Sequence, residues 1–94
     1  MKILLAEDEP RIAADIATAL NDAAKAAAQH GLRVGYHNHW WELETQIDGR
    51  AALEVLADRL DPAVVLEVDT YWSTAGGADT PALLNRLGDR VHAL

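Results

Sequence analysis

Two histidines and one aspartate carry the strongest chemical suggestion in these 94 residues. His37 and His39 lie in the segment GYHNH at the end of an apolar run, and Asp69 directly follows VVLEV. Side chains of an extended chain alternate, so His37 and His39 point to one side and Asn38 to the other. Two imidazoles and a carboxylate make an N,N,O donor set of the kind that takes Zn²⁺ or Mn²⁺. Glu42 and Glu44 follow in the next segment, as a further ligand or a proton acceptor. Glu67 shares the side of Asp69 by the same period of two, and that side is either a barrel interior or a helix-facing surface. A separate cluster, Glu7-Asp8-Glu9, follows the first apolar run. Carboxylates there suit Mg²⁺, which takes oxygen ligands and retains waters, or they cap the positive end of the helix that follows.

The elements that must position these groups can be read from period and punctuation. Lys2–Ala6 is a short apolar run and reads as a buried strand. Pro10 is tolerated in a first helical turn, and Ile12, Ile16, Leu20, Ala23 and Ala27 recur at helical spacing until Gly31. Leu32–His37 is a second strand, and residues 38–49 an extended loop in which Asp48-Gly49 makes a turn and caps the next helix. That helix runs from about Arg50 to Leu60, with Leu53, Leu56, Ala57 and Leu60 on one face. Asp61-Pro62 ends it. Val64–Val68 is a third strand, rich in β-branched residues. Gly76-Gly77 marks a flexible loop. Thr80 followed by Pro81 predicts a capped helix through Leu87, stopped by Gly88, and Val91–Leu94 begins a fourth strand.

The predicted order is β-α-β-α-β-α-β, an α/β chain with a parallel sheet. Four such strands make half of an eight-stranded barrel or most of a small flavodoxin-like sheet. Either leaves an open edge or face in a single chain, which predicts self-association, as a homodimer. The length fits one domain spanning residues 1–94, near the lower limit for an adequate core. The net charge of -7 excludes nucleic acid and anionic membrane as expected partners, since phosphate binding needs clustered Lys and Arg. With no cysteine there is no disulfide or thiol chemistry, in keeping with a cytoplasmic protein. No stretch approaches the roughly 20 apolar residues of a membrane span.

Two family resemblances divide the chain. Residues 1–20, and LLAEDEPRIAADI in particular, resemble the opening strand and helix of a response-regulator receiver domain. That resemblance implies that Glu7 and Asp8 match the acidic pair that binds Mg²⁺ beside a phosphoacceptor. From Asn21 to Leu94, the segments GYHNH, DGRAALEVLADRLDP, LEVDTYW, AGGADTPALL and LGDRVHAL resemble an internal part of a sugar phosphate isomerase/epimerase of the xylose-isomerase-like barrel type. This second resemblance implies that Asp69 is a strand-end metal ligand. It places Trp72 where relatives have a substrate-contacting His, and Trp41, with Trp40, along a sugar site. It also implies that the later strand-end ligands of a complete centre lie beyond these residues.

Together the two resemblances imply a fold chimera, engineered or recombined, with a structural role, no complete active site and no required cofactor. Two alternatives stand beside it. One is residual isomerase/epimerase chemistry on a divalent metal (Mn²⁺, Mg²⁺ or Zn²⁺) held by Asp69, His37, His39 and Glu42. The other is a Mg²⁺-dependent phosphoacceptor module using Asp69 with Glu7 and Asp8.

Overall fold

A computed structural model describes residues 9–94, with side chains from Pro10 onward. The predicted first strand and the candidate residues Glu7 and Asp8 lie outside the described residues. The chain enters on α1 (Glu9–Ala28), one unbroken helix that carries Pro10 in its first turn, where a missing N–H costs nothing. Its most buried residues are Ala13, Ala17 and Ala24, flanked by the half-buried Ile16 and Leu20. Alanine at the contact lets α1 approach closely, whereas Ala23, predicted on the inner face, is exposed.

The main sheet has three parallel strands, β1 (Val34–His37), β4 (Val64–Glu67) and β5 (Val91–Ala93), in the order β1-β4-β5. Strand β4 is central, and Val64, Leu66 and Val68 on one of its faces are almost wholly buried. The same face receives Leu53, Leu56, Ala57 and Leu60 from α3 (Ala52–Arg59) and Leu83 and Leu87 from α5 (Thr80–Leu87). Burying a Leu or Val side chain contributes roughly 1.5–3 kcal/mol, so this single helix-to-sheet layer is the main source of stability. On the opposite face Gly35, His37 and Glu67 are exposed. The periodicity of VVLEV is therefore settled: Glu67 points away from the helices, toward the side that would be interior in a closed barrel.

Three segments depart from the sequence expectation. Residues 38–49 are not one extended loop. They contain a short helix α2 (Trp41–Glu44) and then β2 (Gln46–Ile47), which pairs antiparallel with β3 (Arg50–Ala51). Asp48 and Gly49 both adopt positive φ, 51° and 79°, the geometry of a tight hairpin turn. Asp48-Gly49 is thus a turn but not a helix cap; Ala51 precedes α3 instead. A helix α4 (Thr70–Ala75) follows β4, its N-cap the side chain of Asp69, and Gly76 closes it against the backbone of Trp40. The cap of α5 falls one residue early, on Asp79, whose side chain accepts from Ala82 N at 3.2 Å.

Polar side chains lock the helices to the sheet. Arg90, in a short 3₁₀ turn before β5, donates to the carbonyls of Ala57, Leu60, Asp61 and Val64 and so ties the end of α3 and the start of β4 to the last strand. Glu54 on α3 accepts from Arg86 on α5 at 2.7 Å. No helix among the described residues is long and apolar enough to cross a membrane.

Candidate functional site

Because β1 and β4 run parallel in the register Val34 to Val64 through His37 to Glu67, their carboxyl ends open on the same edge. In open or closed parallel sheets this edge is where ligands bind, since the loops that leave it converge. Here the two loops bring His37 and Asp69 together: Nε2 of His37 lies 2.9 Å from Oδ2 of Asp69. The second carboxylate oxygen, Oδ1, accepts the backbone N–H of Trp72 at 2.9 Å. That backbone bond first, and His37 second, hold the Asp69 carboxyl below the usual carboxylate range.

His39 lies on the exposed side with His37, as alternation requires, with ring centroids 5.7 Å apart. Asn38, between them, is buried. Its Oδ1 accepts from Asp69 N at 2.8 Å, and its Nδ2 donates to His39 O at 2.9 Å and to Ser73 Oγ at 3.2 Å. Glu42 turns inward and is only 1% exposed. It accepts from Tyr36 Oη at 2.6 Å and from His39 N at 2.9 and 3.1 Å. Its two oxygens are thereby used in closing the β1–α2 loop. Burial and the hydrogen bond to Glu42 both push the Tyr36 hydroxyl upward, since each disfavours the phenolate. Glu44 is exposed on α2, and Glu67, the register partner of His37, is exposed on the open sheet face.

Aromatic rings extend the edge. Trp40 stands 5.3 Å from Trp72, and Trp72 4.9 Å from Tyr71 in an edge-to-face contact. His39 meets Trp40 at 6.5 Å, nearly perpendicular. Trp72 therefore joins the edge through Trp40. Trp41 lies elsewhere, over an apolar cavity of about 430 Å³ between α1, α2, the hairpin and α3, lined by Ile12, Ile16, Ile47 and Leu56 among others.

Of the sequence candidates, the fold pairs His37 with Asp69, keeps His39 nearby and draws Glu42 into the interior. Among the described residues no group of three or more His, Asp or Glu side chains converges on a point. A catalytic zinc centre uses three protein ligands. The donor set here stops at two side chains that hydrogen-bond each other, so the described residues do not by themselves fit a metal. Sequence reasoning missed the bonds made by Asn38, Ser73 and Tyr36. An Asn between two outward-facing histidines is the signal that was there to be found, because alternation turns it to the buried side.

No family model matches the chain, and no curated protein matches it. Among solved structures, it is similar to a sugar phosphate isomerase/epimerase from Parabacteroides distasonis, with a TM-score of 0.72 and 23% sequence identity. The superposition covers 96% of this chain and 33% of that one, so the chain spans about a third of its neighbour's length. The likeness shows the fold: α/β, with the parallel sheet and outer helices of part of a β/α-barrel. All but about four residues of this chain are matched, so most of α1 falls within the matched region, on both sides of Leu20–Asn21. It gives no support to a receiver domain in residues 1–20.

Proposed function

We propose that this chain is a recombined β/α-barrel segment that carries one wall of a sugar-binding edge and does not turn over a sugar by itself. The observation that carries this reading is the His37–Asp69 pair, 2.9 Å apart at the carboxyl edge, with no third acid or base converging on it among the described residues. Isomerisation or epimerisation needs an acid and a base disposed about one carbon, together with a group that polarises its oxygen. A lone imidazole–carboxylate pair can accept and orient a hydroxyl but does not meet that requirement. The rings of Trp40, Trp72 and Tyr71 suit the apolar face of a sugar.

The recombination belongs to the same proposal. Its join would fall inside α1, where the described residues Ala17 and Ala24, on either side of position 20, pack in the same cluster. So does pairing of two chains through the uncovered sheet face, supported by the exposure of Gly35, His37 and Glu67.

The test is an assay of aldose–ketose isomerisation and epimerisation of sugar phosphates with Mn²⁺, Mg²⁺ or Zn²⁺ present. The expected result is no turnover above buffer, and no rise in melting temperature with any of the three cations, because a ligand selective for the native state must stabilise it. A saturable rate abolished by Asp69→Ala overturns the reading. Light scattering over a range of concentrations tests the pairing: a dimer is expected, and a monomer throughout removes it.

A further inference from the structure

The hydrogen-bond ladder between β1 and β4 ends at the His37–Glu67 register pair. Beyond it the two chains part, toward α2 on one side and α4 on the other. The His37–Asp69 contact lies past this limit, with the His37 side chain 47% and the Asp69 side chain 22% exposed, so water reaches both. An imidazole–carboxylate pair that water reaches is weakly self-supporting, because water competes for both groups. Something else must hold the two strand ends at hydrogen-bonding distance.

Asn38 has the geometry to do so. It is 1% exposed, follows His37 in the chain, and accepts the backbone N–H of Asp69 itself. Its amide group has one orientation that works: the oxygen must face the Asp69 N–H, and the NH₂ must face the His39 carbonyl and Ser73 Oγ. Buried hydrogen bonds of this kind are costly to break, since a group left unpaired keeps its full desolvation penalty. The spacing of the pair is therefore set from beneath, by one buried side chain bonded to the backbone on both sides of the edge.

We propose that Asn38 is a positioning residue, which fixes the separation and orientation of His37 and Asp69 and thereby selects the tautomer of His37. A carboxylate only accepts, so Nε2 of neutral His37 carries the proton that faces Asp69. Nδ1 is then left with its lone pair, as the nitrogen that meets a ligand. The ligand chemistry it suits is a hydroxyl donor, such as one hydroxyl of a polyol. This use of the pair rests on the reading of the edge as a sugar-binding wall; the positioning itself does not.

The test uses the full chain with three substitutions and reads the pair, not turnover. Long-range ¹H–¹⁵N spectra of the imidazoles report the tautomer of His37, and amide exchange reports the Asp69 N–H. In the unsubstituted protein His37 is expected in the Nε2–H form, with a protected Asp69 amide. In Asn38→Ala the Asp69 amide should exchange roughly tenfold faster, the equivalent of about one net hydrogen bond, and His37 should become a mixture of tautomers. Ser73→Ala controls for general loosening: it removes one bond of Asn38 but leaves the Asp69 anchor, so the tautomer and the Asp69 amide should stay as they were. If Asn38→Ala does not fold, Asn38→Asp keeps an acceptor for the Asp69 N–H, and the amide should remain protected. The proposal is overturned if His37 keeps its tautomer in Asn38→Ala. It is also overturned if Ser73→Ala disturbs the pair equally, or if Asn38→Asp loses the protection. None of these readouts depends on a sugar being bound, so the positioning role and the proposed function fail separately.

Discussion

Asn21 clasps the end of α3 at Asp61: its Oδ1 accepts the Asp61 N–H at 2.7 Å while its Nδ2 donates to the neighbouring Arg59 carbonyl at 3.1 Å. The residue lies within α1, and it bonds across 40 positions of sequence to the turn that precedes β4. α1 is thus tied to the rest of the chain by directional bonds as well as by its alanine face. Asn21→Ala removes both bonds and should cost about 1–2 kcal/mol. Urea unfolding checks it: the midpoint should fall with an unchanged slope. No change in midpoint would show that the clasp contributes nothing.

Tyr36 and Glu42 form the buried polar contact of the β1–α2 loop, 2.6 Å apart. Tyr36→Phe deprives a buried carboxylate of a donor and should cost about 1–3 kcal/mol at neutral pH. The contact also predicts an alkaline response. An acid whose pKa rises on folding adds stability that is complete below its unfolded value, about 10 for tyrosine. That stability is lost as pH climbs through the folded value. The unsubstituted protein should therefore weaken above about pH 10 through Tyr36, and Tyr36→Phe should lack that part of the slope. Unfolding curves across the alkaline range, compared between the two proteins, decide the point.

The Asp69 carboxyl works in the opposite direction. Held low by the Trp72 backbone N–H and by His37, it adds stability above its unfolded value, near 3.9. The contribution drains away as pH falls through the folded value. Asp69→Asn keeps an effective helix cap but removes the charge. It should flatten the acid limb of the stability curve while changing neutral stability less than Asp69→Ala does. Equal acid limbs in the unsubstituted protein and Asp69→Asn would contradict this.

Gly76 offers a steric test of how α4 is seated. A Cβ there would stand 2.5 Å from the Trp40 carbonyl oxygen and 3.1 Å from Leu43 Cβ. Backbone is the obstacle, so rotamer changes cannot relieve it. Gly76→Ala should destabilise by about 1–3 kcal/mol and should shift tryptophan fluorescence, because Trp40 must move. A melting temperature equal to that of the unsubstituted protein would show that the two loops are not packed this closely.

Much of the scaffold was legible in the residues. The inward face of α3, the three strands of the parallel sheet and the stop at Gly88 follow from periodicity and from glycine placement. The β2–β3 hairpin was less so, because strands of two residues are too short to show alternation, although Asp48-Gly49 is itself a hairpin signal. α4 escaped for a similar reason. Its six residues, TYWSTA, have no apolar period, and its one marker is an aspartate that was read for its chemistry and also serves as a cap.

By itself the sequence determined which residues could do chemistry and which of them share a side, since alternation along a strand is a local property of the backbone. It therefore put His37 and His39 on one side and Asn38 on the other; the packing of β1 made Asn38 the buried one. Only the tertiary structure decided which of these groups meet. The pairing of His37 with Asp69, the withdrawal of Glu42 under Tyr36, and the grip of Asn38 on the Asp69 backbone all join β1 or its loop to partners fixed by sheet register and loop closure. Those distances depend on the packing of β1 against β4, and no period in either segment encodes them.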